Sequence, residues 1–173
     1  MKDFFDLIGR RESCRDYDPD RTPEREKLEN CLEAARLAPS ACNSQPWRYL
    51  VVTNPAMLAE LRAAVRHLGM NAFAGGCPAF AVVLEEGAGP LAAAGGKLQN
   101  QYYALTDIGL SVSQFCLAAT AQGLSTCIIG WFHEKKLQAL FKLPRGQRVR
   151  LVIAIGYARG EKLREKTRKP LSD

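Results

Sequence analysis

From about Lys97 to Gln122, apolar residues recur at helical spacing, with Leu105, Ile108, Val112, Phe115 and Ala119 along one side. The stretch predicts one long helix, ended by Gly123 as its cap. A helix of that length has to find cover for its apolar face, so the rest of the chain must pack around it. Small residues at Gly109, Ser111, Ala118 and Ala121 let a second helix approach closely.

Residues 3–10 predict a short helix with Phe4, Phe5 and Ile8 on an apolar side. Thr22-Pro23 predicts another helix start, with threonine as cap and proline in the first turn. Leu28, Cys31, Leu32 and Ala35 carry its apolar face, and Pro39 ends it. Tyr49–Thr53, Ala79–Leu84, Thr126–Ile129 and Val149–Ile155 read as strands. Pro55–Leu68 and Glu134–Phe141 read as further helices, and Gly87–Gly96 as a Gly/Ala loop with room for a lid. Helices and strands alternate without a strict β-α-β period. The class is α+β, a central mixed β-sheet flanked by helices, and 173 residues fit one domain, 1–173.

An apolar fraction of 47% with 24% charged residues excludes a wholly disordered chain. The cysteines (14, 31, 42, 77, 116 and 127) form no C-x-x-C pair, and His67 and His133 are the only histidines, so no metal site is expected. Most of the cysteines sit in apolar runs and no signal peptide is read, which argues against a disulfide framework. No segment is expected to supply the ~20 apolar residues that span a bilayer, and a cytoplasmic location follows by elimination. Neither a G-x-G-x-x-G after a strand nor a P-loop is found. The formal charge is +6, and Arg159, Lys162, Arg164, Lys166, Arg168 and Lys169 form a basic tail against Glu161 and Glu165. Such a run attracts phosphate, whether of nucleic acid, lipid or cofactor.

Three stretches have the residue types of a binding site. In Arg10–Tyr17, Arg11, Ser13 and Arg15 alternate at period two, so an extended chain projects them to one side. Two guanidinium groups flanking a hydroxyl suit an anion; a surface loop with ion pairs to Asp16, Asp18 and Asp20 satisfies the same pattern. Ala38–Trp47 is bounded by prolines that stiffen it and holds Ser40, Asn43 and Gln45, whose donors and acceptors suit a flat heteroaromatic edge; an ordinary Asx-type turn is the alternative. In the tail, Lys166 and Arg168 stand at period two and can close over the same phosphate as Arg11.

R-x-S-x-R-x-Y near the start, then P-S-x-x-N-S-Q-P-W, D-I-G, G-L-S-T-C-I-I-G-W, G-Y and K-x-R-K-P closely resemble the nitroreductase family of flavoenzymes in order and spacing. The resemblance implies a homodimer holding FMN between its subunits, NADPH or NADH as donor, and a nitroaromatic, quinone or similar small-molecule electron acceptor. It implies Arg11 and Ser13 at the FMN phosphate and ribityl chain, Arg15 at the N1–C2 carbonyl edge, and Lys166 and Arg168 completing a phosphate clamp. Pro39 and Ser40 would face the flavin from the partner subunit, and Asn43 and Gln45 would bond its ring or ribityl. Gly130 would present its N–H towards N5, with Asn71 as a further contact. No side chain then acts as nucleophile or base, because the flavin passes hydride in a ping-pong scheme. Asp107 and Gly109 are left to helix packing, and Trp131 to a pocket wall, an interface or the core. Glu12, a carboxylate beside a phosphate, is expected to point away or pair with Arg10. The short Glu85–Asn100 segment implies an open, broadly specific acceptor pocket. Two other classes share part of the pattern: a flavin-binding storage or sensing protein, and a nucleic-acid-binding module using the basic tail. The latter lacks aromatic residues among its cations. With the tail assigned to FMN, neither nucleic acid nor membrane is expected as a partner.

Overall fold

A computed structural model of the chain describes residues 1–87, 89–160 and 163–172. Ala88 of the Gly/Ala stretch and Glu161 and Lys162 of the basic tail lie outside the described residues. The elements are β1 (Trp47–Val52), β2 (Ala79–Glu85), β3 (Ser125–Ile129) and β4 (Arg148–Gly156), with helices α1 (Lys2–Arg10), α2 (Arg25–Arg36), α3 (Pro55–Val65), α4 (Pro90–Gln99), α5 (Tyr103–Ala121) and α6 (Glu134–Leu140). The strands form one sheet in the order β1-β2-β4-β3, and every neighbouring pair is antiparallel. The sheet is therefore antiparallel, not mixed. The connections from β1 to β2 and from β3 to β4 each return the chain to the end of the sheet it left, so those neighbours run in opposite directions. Among the described residues, the single parallel feature is an isolated bridge between Ser13 and Thr126.

The alternation along β2 sorts the core into two layers. Phe80, Val82 and Leu84 pack with Val52, Val152 and Ala154 against α3 and α6, through Leu58, Leu61, Val65 and Leu137. Ala79, Ala81 and Val83 face the other way with Ile153 and Ile155, against α2 and α5, through Leu28, Cys31, Ile108, Val112 and Phe115. Ser111 joins the two helices of that layer: its hydroxyl donates to the Ala35 carbonyl at 3.0 Å and accepts from the Tyr49 hydroxyl at 2.8 Å. Gly109 and Ala121, expected to admit a neighbouring helix, are exposed.

The long helix read from the sequence is two helices. Asn100 adopts a left-handed conformation (φ 51°, ψ 41°), and the Gln101 N–H bonds back to the Gly96 carbonyl at 2.8 Å, which closes α4 before α5 begins. The Gly/Ala stretch expected as a loop is mostly helix α4, where Pro90 at the first turn and the alanines at 92–94 outweigh the cost of Gly95 and Gly96. The end of α5 is as expected. Gly123 (φ +78°) donates to the Thr120 carbonyl at 3.1 Å, and Leu124 to the Ala119 carbonyl at 2.9 Å, a Schellman closure. By length and composition the 19-residue α5 is apolar enough to cross a membrane, against the expectation that no segment would be. Ile108, Val112, Phe115, Cys116 and Ala119 instead pack into the layer with the sheet and α2, while Leu105 and Leu110 are exposed.

Smaller differences lie at helix ends. α2 begins at Arg25, past Thr22-Pro23, and no side chain caps it. α3 begins as expected at Pro55, with the Asn54 side chain accepting from the Ala56 and Met57 amides. It stops at Val65, and Leu68 sits at φ 52° in a following 3-10 turn. α1 has no buried residue, and Phe4, Phe5 and Ile8 are all exposed.

Tyr17 sets the course of the segment after α1. Its ring is buried, its hydroxyl donates to the Ala154 carbonyl at 3.2 Å, and its backbone bridges to Ala158. Gly156 leaves room for that ring: a Cβ there would lie 2.9 Å from Tyr17 Cδ1 and 2.8 Å from Pro78 Cδ. Gly156→Ala is expected to destabilise the protein by about 1–3 kcal/mol through overpacking. A urea titration should show a lower midpoint with an unchanged slope. An unchanged midpoint would mean that the ring and the proline yield freely.

Candidate functional site

The segment after α1 runs extended along the free edge of β3, where the Cys14 amide donates to the Thr126 carbonyl at 2.9 Å. Cys14 and Tyr17 turn inwards and are buried. Arg11, Ser13 and Arg15 line a cleft of about 310 Å³, and the tail closes its other side with Arg164, Lys166, Thr167 and Arg168. Four residues expected at a phosphate (Arg11, Ser13, Lys166 and Arg168) and Arg15, expected at the ring edge, are drawn from opposite ends of the chain into one cleft.

The tail is held there by specific bonds. The Arg164 guanidinium donates to the Ser13 carbonyl at 2.7 Å, and its backbone N–H donates to Glu12 Oε2 at 3.0 Å. Arg164 Nε also lies 3.5 Å from that oxygen. The Lys166 ammonium donates to the Gly9 carbonyl in the last turn of α1, where a cation is favoured by the helix dipole. Glu12 thus neither points away nor pairs with Arg10. It lines the cleft, and Arg164 balances its charge. Arg164 stands in the basic tail read from the sequence but not among the expected site residues, although its period-two spacing with Lys166 and Arg168 was a usable signal. Arg11, Arg15, Arg164, Lys166 and Arg168 stand against Glu12 and Glu165, so the cleft keeps an excess of positive charge.

Gly130 and Asn71 lie at the end of β3. Asn71 (φ 56°) donates from Nδ2 to the Trp131 carbonyl at 2.8 Å and to the Val65 carbonyl at 3.0 Å, which ties the turn after α3 to the residue after Gly130. Its amide nitrogen therefore serves the fold, and its side-chain oxygen is what remains for a ligand. A Cβ on Gly130 would meet nothing within 4 Å. Nothing in the chain itself requires glycine there, while the bare backbone leaves space for a bound group to approach. Trp131 is exposed and stacks on His67, and the Arg15 guanidinium lies 6.0 Å from the centre of the Phe73 ring.

The loop carrying Pro39, Ser40, Asn43 and Gln45 is elsewhere. It precedes β1, and β1 and β3 are opposite edges of the sheet. Three strand spacings put those edges roughly 14 Å apart. The chain does not bring these four residues into its own arginine cleft: β1 begins at the end of the sheet where β3 finishes, whereas the arginine segment is bridged to Thr126 near the start of β3. Cys42, Asn43 and Gln45 have φ of 51°, 52° and 44°. Left-handed backbone costs about 1–2 kcal/mol at each such residue. Ser40 folds the loop on itself, its hydroxyl accepting from the Gln45 amide and its carbonyl from the Asn43 amide, both at 3.0 Å. Among the described residues, the Asn43 side-chain amide makes no hydrogen bond within the chain.

Comparison with known proteins gives a consistent pattern. The model of the Nitroreductase family matches residues 8–72 and 65–157. An oxygen-insensitive NADPH nitroreductase of Helicobacter acinonychis is 29% identical over 195 residues, spanning 95% of this chain and 91% of that one. A protein of Exiguobacterium sibiricum, solved in complex with FMN, superposes with a TM-score of 0.81 at 25% identity, covering 98% of this chain and 94% of that one. A nitroreductase family protein of Streptococcus pneumoniae shares the fold, with a TM-score of 0.81 at 23% identity over 98% and 96% of the two chains.

The cysteines offer a check on the described site. Five are buried and Cys42, in the strained loop, is exposed. Burial pushes the Cys31 and Cys77 thiols up to about 12, so their thiolates are scarce at pH 8. Ellman's reagent at pH 8 should find one fast thiol in the native protein and all six in denaturant. More than one fast thiol in the native state would place a core cysteine within reach of solvent.

Proposed function

Because this chain belongs to the nitroreductase family, we propose that it is an FMN-dependent oxidoreductase moving electrons from NADPH or NADH to a nitroaromatic, quinone or similar small acceptor. Dependence on NAD(P)H follows from the relatives named as nitroreductases. The observation that carries the FMN reading is the cleft in which Arg11, Ser13, Arg15, Lys166 and Arg168 converge.

The donor set fits FMN. Arginine forks, a lysine and a hydroxyl suit a dianionic phosphate. The loop offers the uncommitted amide of Asn43 and the side chain of Gln45 to a ring edge of alternating donors and acceptors. When bound, FMN supplies a ring that accepts and releases hydride, chemistry no side chain here provides. The chain's own part is placement and electrostatics. Arg11, Ser13, Lys166 and Arg168 hold the phosphate, and Arg15 favours negative charge on the ring edge beside it. Gly130 leaves its backbone open to close approach, and Asn71 fixes the turn that adjoins it.

The site takes two copies of the chain. The loop of residues 39–45 does not reach its own arginine cleft, so a second copy brings Pro39, Ser40, Asn43 and Gln45 to it. Exposed Phe4, Phe5 and Ile8 on α1, with Leu105 and Leu110 on α5, supply apolar surface for that pairing. Donor and acceptor then use one open face in turn. The folded-back tail supports this reading over nucleic-acid binding, because Arg164 and Lys166 are already bonded to Glu12, Ser13 and Gly9.

Protein incubated with FMN and then desalted should retain a flavin absorption spectrum, and NADPH or NADH should bleach it. Colourless protein would overturn the reading. Arg11→Ala should weaken FMN binding about 10- to 100-fold, the range for a hydrogen bond to a charged group. The urea midpoint should stay unchanged, since Arg11 is not in the core. Unaltered FMN affinity would remove Arg11 from the phosphate.

A further inference from the structure

The loop of residues 40–45 holds three non-glycine residues in left-handed conformations. Such a segment persists only where its surroundings determine it. Its internal bonds, from Ser40 to Asn43 and Gln45 and from Ala41 to Ser44, move with the loop as a unit. Apart from the Trp47 amide, which donates to the Gln45 carbonyl at 2.8 Å where the chain enters β1, one hydrogen bond among the described residues ties the loop to another element: the Ala41 N–H donates to Asp107 Oδ2 at 3.1 Å. Asp107 sits in the second turn of α5 and is 5% exposed. Among the described residues, no lysine or arginine forms an ion pair with it. A buried acidic side chain is costly unless its hydrogen bonds are made, so the Ala41 amide is a partner it needs. α5 itself is fixed to α2 and β1 through Ser111. The sequence pointed only to a packing role for this residue.

We propose that Asp107 is a positioning residue that sets the conformation of the loop, and through it the contacts that Ser40, Asn43 and Gln45 make with FMN. The second half rests on the reading of this loop as part of the FMN site.

Two variants cut the same bond from opposite ends. Asp107→Leu removes the acceptor. Ala41→Pro removes the donor, at the first residue of the turn, whose N–H the turn does not use. Ser40 is already extended (φ −148°, ψ 153°), the conformation a residue before proline favours. Asp107→Asn keeps an acceptor oxygen. The Cys42 thiol reports on the loop without FMN, through its labelling rate with Ellman's reagent. A titration of FMN fluorescence quenching reports on the cofactor. Asp107→Leu and Ala41→Pro should shift the labelling rate severalfold in the same direction and weaken FMN binding about tenfold or more. Asp107→Asn should stay close to wild type in both. If Asp107→Leu does not fold, Ala41→Pro decides alone. Wild-type labelling in Ala41→Pro would overturn the proposal. Altered labelling with unaltered FMN binding would keep Asp107 as the loop's anchor and remove the loop from the FMN site. If the wild type itself binds no FMN, the functional reading falls, and labelling still tests the anchor.

Discussion

The two central strands have no free face. In β2, Phe80, Val82 and Leu84 demand cover on one side and Ala79, Ala81 and Val83 on the other, and β4 beside it makes the same demand with Val152 and Ile153. Every helix layer follows from that constraint. Because the interior is filled on both sides, polar chemistry is pushed to the sheet's edges, where backbone groups still lack partners. Both candidate clusters stand there: the arginine segment runs along β3, and the polar loop leads into β1.

At the β3 edge, cations from the two ends of the chain are held near one another. Like charges at short range repel, so the arrangement needs anchors. Three are visible: Arg164 on the Ser13 carbonyl, the Arg164 backbone on Glu12, and Lys166 on the last turn of α1. Glu12 is therefore no flaw in an anion site. It offsets the charge of Arg164 and thereby fixes the tail, while the guanidinium of Arg11 makes no ion pair with a carboxylate among the described residues.

Features set by nearest neighbours were legible in the sequence. The apolar runs of β2 and β4, the helix start at Pro55 and the Gly123 closure each depend on residues within a few positions. The period-two pattern of Arg11, Ser13 and Arg15 likewise predicted a shared side. Features set by distant partners were not. The break between α4 and α5 turns on one left-handed asparagine inside an otherwise helical pattern. The antiparallel sheet depends on where each connection returns. The partner of Glu12 comes from the opposite end of the chain. Asp107 looked like packing because its role is a single bond to a backbone amide, which leaves no trace in side-chain pattern.

The separation of the two clusters bears on how such a chain works. Had the polar loop and the arginine segment met within one chain, a monomer could close around a flavin, and the exposed apolar faces of α1 and α5 would be hard to explain. Set at opposite edges of the sheet, they are complementary halves that a two-fold pairing can bring together twice. On the proposed reading, pairing and cofactor binding then stabilise each other, because each loop meets its ligand only through the second copy. The bond from Asp107 of α5 to the loop serves that end: a loop that crosses between subunits reaches its target only if its own chain presents it in a defined shape.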